Sequence, residues 1–250
     1  MQRFIGMKLL ACLLGSYLSV VILSSLAFAS DSLDKANLLS SEITLQLANG
    51  DKVVANRISG MDLGGGNFSW TGDLTGVSVG FMTFAKVDGL LSGTVHAPGV
   101  HAYSFRGQAG NLKVKPVRAK NRPCGGCLLR KKLPPDPRRQ RRIKTWRNGD
   151  GNLVDLLVVY PSAVVDEAAG ITPLAADVAK AVADANLCYR NSQVNLQLRL
   201  VHLAEVSYTP TGVLETDLER LAGTADGYMD DVHALREQYG ADLVALLTTD

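Results

Sequence analysis

Cys124-Gly125-Gly126-Cys127 is a thiol pair whose spacing suits several chemistries. A redox dithiol needs a helix start behind a strand to lower the thiol pKa, and the Pro-rich surroundings oppose that. Half of a structural metal site needs a second ligand pair, which the sequence lacks. A single thiolate on a flexible arm can serve as an inhibitory metal ligand. A local disulfide between Cys124 and Cys127 stays open beside it.

Other reactive groups are sparse. His202 and His233 fall in different elements, and each reads as a packing residue. Asp155 and Asp242 each open an apolar run and read as strand-end or capping carboxylates rather than acid–base groups. The sequence contains no H-E-x-x-H, and its G-x-S-x-G string, Gly76-Val77-Ser78-Val79-Gly80, lies among expected β-strands with no helix following it. Neither a helix-borne two-histidine metal site nor a nucleophile elbow can therefore be built from it. Gly64-Gly65-Gly66 is not a phosphate loop, because no Lys-Ser or Lys-Thr follows it.

The elements that must position these groups fall into four segments. Arg3 and Lys8 introduce an apolar run from Leu9 to Leu26, and Ala27-Phe28-Ala29 places small residues where signal peptidase reads them. Residues 1–29 read as a signal peptide cut after Ala29. The mature chain is then secreted, extracellular or periplasmic, with no membrane association after cleavage. Cys12 leaves with the signal, so Cys124, Cys127 and Cys188 remain, and an odd number leaves one thiol without a partner in the chain.

Residues 30–112 read as all-β. Ile43, Leu45 and Leu47 alternate with polar residues, and Asn49-Gly50 marks a hairpin. Val53–Ile58, Phe68–Trp70, Val77–Phe84, Leu90–Val95 and Ala102–Phe105 follow at turn-punctuated intervals. This rhythm predicts a small sandwich or barrel.

Residues 113–149 are a basic linker. Residues 113–147 hold fourteen Lys or Arg against one acid, Asp136, and Pro134, Pro135 and Pro137 deny regular structure. The rest of the chain carries 12 basic and 23 acidic residues, so the whole-chain charge of +2 hides a sharp split. In an exported chain this reads as a spacer that a processing protease reaches, with Arg138, Arg139, Arg141 and Arg142 as the cutting site. A plain solvated linker and a polyanion-binding segment are the alternatives. No specific nucleic-acid recognition is expected.

Residues 150–250 change rhythm again. Val154–Tyr160 is apolar apart from Asp155, as in a strand buried on both faces. Thr172-Pro173 predicts a helix start with Thr172 as N-cap, and Leu174, Val178, Ala181, Val182, Ala185 and Tyr189 recur at helical spacing. Val194–Tyr208 alternates as a strand. A short helix spans Leu214–Leu221, and another, capped by Asp226, carries Met229, Val232, Leu235 and Tyr239. Ala241–Thr248 is a third strand. Strand, helix, strand, helix, strand predicts helices on a largely parallel sheet. The fold class of the whole chain is α+β.

Within this last segment, Asp155-Leu156-Leu157-Val158-Val159-Tyr160 resembles the opening strand of reprolysin (adamalysin)-type metzincin metallopeptidases. Asn186–Ser192 followed by Leu198-Arg199-Leu200-Val201 resembles their first helix running into their second strand. Asp226–Arg236 and Tyr239–Val244 are similar to the bacterial secreted members called peptidyl-Asp metallopeptidases. The resemblance implies the upper subdomain of a catalytic domain over residues 150–250 and a propeptide over 30–112. It implies a zinc cofactor, protein or peptide substrates, and hydrolysis by zinc-activated water.

The family's H-E-x-x-H-x-x-G-x-x-H helix would follow the elements seen here. No zinc ligand or catalytic residue is therefore carried onto this sequence, and the chain alone is expected to be inert. Arg122-Pro123-Cys124-Gly125 is similar to the cysteine switch of metzincin propeptides, which would make Cys124 an inhibitory zinc thiolate; Cys127 departs from that pattern. A non-enzymatic exported binding protein that reuses the fold is the contrasting expectation.

Overall fold

The computed structural model describes residues 33, 35–47, 50–77, 79–97, 102–117 and 152–249. Seven strands form one antiparallel meander: β1 (Glu42–Gln46), β2 (Lys52–Gly64), β3 (Asn67–Leu74), β4 (Phe81–Val87), β5 (Leu90–His96), β6 (Tyr103–Gln108) and β7 (Asn111–Pro116). Each strand pairs with the next in sequence, so of the expected sandwich or barrel the structure has one curled sheet rather than two packed sheets. β2 is thirteen residues long and shifts register at Arg57/Ser59 and Asp62/Gly64. Such bulges bend a strand and increase its twist, which lets one sheet wrap its own core.

Strand alternation separates two faces. One face carries Ile43, Leu45, Ala55, Trp70, Met82, Phe84, Leu91, Val95 and Phe105, which form one buried cluster with Leu33 and Ala36. The Trp70 and Phe84 rings stack at 5.4 Å, and the Trp70 indole N–H donates to the Ser40 carbonyl at 2.9 Å. Gly93 lies directly beneath the Phe105 ring, where any Cβ would overlap it. The other face carries small and hydroxyl residues, including Ser69, Thr71, Thr83, Ala85 and Ser92, and these are also buried.

The second unit is a three-stranded parallel sheet in the order β10-β8-β9, from β8 (Leu153–Tyr160), β9 (Gln197–Glu205) and β10 (Leu243–Leu246). Its helices are α1 (Ser162–Ala168), α2 (Ile171–Asn191), α3 (Leu214–Ala222) and α4 (Asp231–Gln238). Val158, Tyr160, Val164, Leu174 and Val178 form the core between the sheet and α1–α2. Leu157, Val159, Ala204, Leu221 and Val232 form the core toward α3–α4. The central strand is buried on both sides, as its unbroken apolar run requires. Among the described residues, no helix is long and apolar enough to cross a membrane.

Several boundaries differ from expectation. α2 starts at Ile171 with Gly170 at the N-cap, so Thr172 is inside the helix and caps nothing. Pro173 does not fix the start, because none of the first four helical N–H groups has an intrahelical partner and Pro is tolerated at any of them. Asp226 does not cap α4. The residue at the N-cap is Asp230, whose carboxylate accepts the Asp226 and Gly227 N–H groups, while the Asp226 carboxylate accepts the Tyr228 N–H. β7 extends order to Pro116, past the residues where basic composition begins.

Candidate functional site

The long helix α2 is the element on which the two units meet. Leu174 and Val178 turn toward β8. Ala176 and Ala179 turn the other way, against Ala85 and Val87 of β4, with Leu63, Leu90 and Ala175 at the margin. Alanine at this spacing lets the helix approach the sheet closely, and the short hydroxyl side chains opposite leave room for it.

Two aspartates, Asp177 and Asp184, flank the alanines at a spacing of seven residues and so share one face of the helix. Asp177 accepts from the Ser92 hydroxyl at 2.6 Å and is ion-paired to the Arg106 guanidinium of β6. Asp184 accepts from the Thr83 hydroxyl of β4 and from Lys180 at 2.7 Å. Thr83 also shares a hydrogen bond of 3.0 Å with Thr94 on β5. At the end of α2, the Arg190 guanidinium donates to the Ile58 carbonyl of β2 at 3.3 Å. An open cavity of about 500 Å³ lies there, lined by Ser59, Asn152, Asn186, Arg190 and Gln197 among others.

His96 ends β5 beside this seam, its ring against Phe81 at 4.7 Å. Burial lowers its pKa from 6.5; the nearby Asp184 carboxylate partly offsets this, and Lys180 adds to the lowering. The seam thus holds His96 toward its neutral form.

The residues singled out in sequence are distributed differently. Ala29, Cys124, Cys127, Arg138, Arg139, Arg141 and Arg142 lie outside the described residues. Cys188 is an exposed free thiol. His202 stacks on Tyr239 at 3.8 Å, and His233 shares a hydrogen bond with the Gly223 carbonyl. Asp155 binds Arg199 through two bonds of 2.7 Å each, and Asp242 accepts the Asp155 N–H at 2.9 Å. These contacts lace β8 to β9 and to the start of β10, the strand-end role expected of both carboxylates. Among the described residues, no group of three or more His, Cys, Asp or Glu side chains could hold a metal ion. The described histidines do not gather with two further ligand-type side chains, so a zinc site does not fit these residues.

Sequence reasoning missed the α2 seam. Its signal was the second stripe, Ala176, Ala179 and Ala183, flanked by Asp177, Lys180 and Asp184. Alanine is nearly neutral in an amphipathic count, so this face carried no apolar signal.

Four curated relatives match part of the chain. A peptidyl-Asp metalloendopeptidase of Stenotrophomonas maltophilia is 38% identical over 100 residues, covering 40% of this chain and 24% of the relative. One of Xanthomonas campestris is 48% identical over 63 residues, covering 25% and 15%. One of Pseudomonas aeruginosa is 39% identical over 97 residues, covering 38% and 15%. The chain is related to metallopeptidases. It spans a quarter or less of the length of these relatives. No protein-family model matches it. A solved chaperone–substrate complex is 13% identical with a TM-score of 0.30, over 37% of this chain and 85% of that one, too slight a likeness to carry fold or function.

Proposed function

We propose that this chain is the N-terminal portion of a secreted zinc metalloendopeptidase zymogen of the reprolysin-like metzincin type. Residues 1–29 act as the signal peptide and residues 30–112, with β7, form the propeptide unit. The basic linker is the processing site. Residues 150–250 are the first part of the peptidase domain. The observation that carries this reading is the partial identity of 38–48% to proteins named as peptidyl-Asp metalloendopeptidases.

The architecture supports it. A self-contained β unit with its own core precedes a parallel sheet covered by helices on both faces, and a cleavable basic stretch joins them. Because zinc does not fit the described residues, its ligands and the chemistry of peptide-bond hydrolysis belong to chain segments outside them. The substrates are proteins or peptides, and the relatives' name points to bonds at aspartate. The part described here folds, positions and restrains.

Reading the gene beyond codon 250 tests the proposal. An open frame that reaches H-E-x-x-H-x-x-G-x-x-H is expected. A stop codon without that motif would overturn it and leave an exported binding protein. Residues 30–250 incubated with zinc and casein should show no hydrolysis; activity abolished by a chelator would contradict the assignment of the metal site to other segments.

A further inference from the structure

We infer that the face of the N-terminal sheet bearing Ser92 and Thr83 is a dedicated, reversible docking surface for helix α2, so that cutting the linker leaves the two units bound to each other. The inference rests on the seam itself and stands whether or not the chain is a peptidase.

Three observations carry it. First, each unit keeps a core of its own away from the seam: Trp70, Phe84 and Phe105 on the far face of the sheet, and Leu174 and Val178 between α2 and β8. Separation therefore exposes neither core. Second, the surfaces that meet are alanine, serine, threonine and aspartate around a small apolar patch of Val87, Leu63 and Leu90. Thr83 is 0% and Ser92 4% exposed, although hydroxyls on a two-faced antiparallel sheet ordinarily point to water. Such a surface is soluble when uncovered, unlike the apolar faces of a permanent core. Third, the polar groups are matched across the seam. Asp177 takes Ser92 and Arg106, and Asp184 takes Thr83. The two carboxylates are partly exposed, but the hydroxyls that donate to them are buried, so the pairing defines register and partner, and the hydroxyls are costly to leave unpaired.

Cleavage between residues 118 and 151 removes only the tether. It lowers the effective concentration of the partner face but breaks none of these contacts. Release of the N-terminal unit is then a second event, separate from cutting.

The test uses residues 30–250 with a site-specific protease sequence in place of Arg138–Arg142. After complete cutting, the two fragments are run together on a sizing column at low micromolar concentration. Co-elution at the mass of the uncut protein is expected. The Asp177→Asn, Asp184→Asn double variant should weaken association by roughly tenfold, about threefold for each partly exposed carboxylate, and elution should shift toward the separate fragments.

Arg106→Asp on the sheet should also weaken it, and adding Asp177→Arg should restore part of the loss. That swap distinguishes docking from misfolding, since a misfolded α2 cannot be rescued from the sheet. Wild-type fragments that separate while each keeps its circular dichroism would overturn the inference. Co-elution unchanged in the double variant and in Arg106→Asp would overturn it equally, by removing the carboxylates from recognition.

Discussion

Asp217→Ala should destabilise the C-terminal unit by about 3 kcal/mol. Asp217 sits in the first turn of α3 and is 1% exposed. α3 has Val213 at its N-cap and no side-chain cap, so the helix start depends on other bonds. The Asp217 carboxylate accepts from the Tyr208 hydroxyl, from the Thr211 N–H at 2.9 Å and from the Thr211 hydroxyl at 2.8 Å. It thereby ties the segment after β9 to α3. Thr211 is exposed, so water recovers part of what its two donors lose, and Tyr208 is half-buried.

At about 1 kcal/mol net for each of three bonds, the loss is ~3 kcal/mol, and the carboxylate's favourable place at a helix N-terminus adds a few tenths. For a chain of this size each kcal/mol moves Tm by about 2–4 °C, so the midpoint should fall by roughly 6–12 °C. Far-UV circular dichroism follows it, because every described α-helix longer than one turn lies in this unit. A midpoint within about 2 °C of wild type would refute the reasoning. The burial of Asp217 raises its pKa, but the bonds from Tyr208 and Thr211, together with Arg220, outweigh that and hold it below 3.8. Its contribution is therefore present above pH 3.8 and is lost as pH falls through the folded value.

Two further outcomes are expected. His96 has its pKa lowered from 6.5, so the folded state binds fewer protons than the unfolded chain; stability is full above pH 6.5 and falls as pH drops through the folded value. With His96 packed beside Lys180, Asp184 and Phe81, a His96→Gln chain should show a flatter stability profile between neutral and mildly acid pH in denaturant titrations, and a profile identical to wild type would count against the partial desolvation of His96. Gly93→Ala should force the Phe105 ring from its place and cost about 1–3 kcal/mol, read from Trp70 emission in a Trp146→Phe background; an unchanged transition would show that the ring moves freely.

The parts legible in the sequence were those with an undiluted period. Val154–Tyr160 could only be a strand buried on both faces, and Leu174 and Val178 announced the inner side of α2. The alternation of Ile43, Leu45 and Leu47 marked β1, and its partner strand was recognisable at Val53 but not to its end at Gly64, because bulges break the period of two. β7, Asn-Leu-Lys-Val-Lys-Pro, was hidden by its charges: Leu112 and Val114 alternate, but the lysines between them counted toward the linker.

The seam was illegible for a different reason. Its residues are individually unremarkable, and only the packing of α2 against a distant sheet makes Ser92 and Thr83 buried or Asp177 paired. A two-sided helix with alanine on one side and charge beside it carries no strong moment toward a second partner. The signal was present as spacing, at Ala176, Ala179 and Ala183, but spacing of small residues acquires meaning only when the opposing surface is known.

We propose above that this chain begins a zinc-dependent peptidase restrained by its own N-terminal sheet. The most direct measurement is to express the complete gene, purify the exported product after cleavage in the linker, and assay hydrolysis of an aspartate-containing peptide before and after chelation. The account predicts activity that a chelator abolishes and added zinc restores, with the activity rising once the N-terminal fragment is separated. A processed product that binds no zinc, or that cleaves the peptide equally well in the presence of chelator, would contradict it.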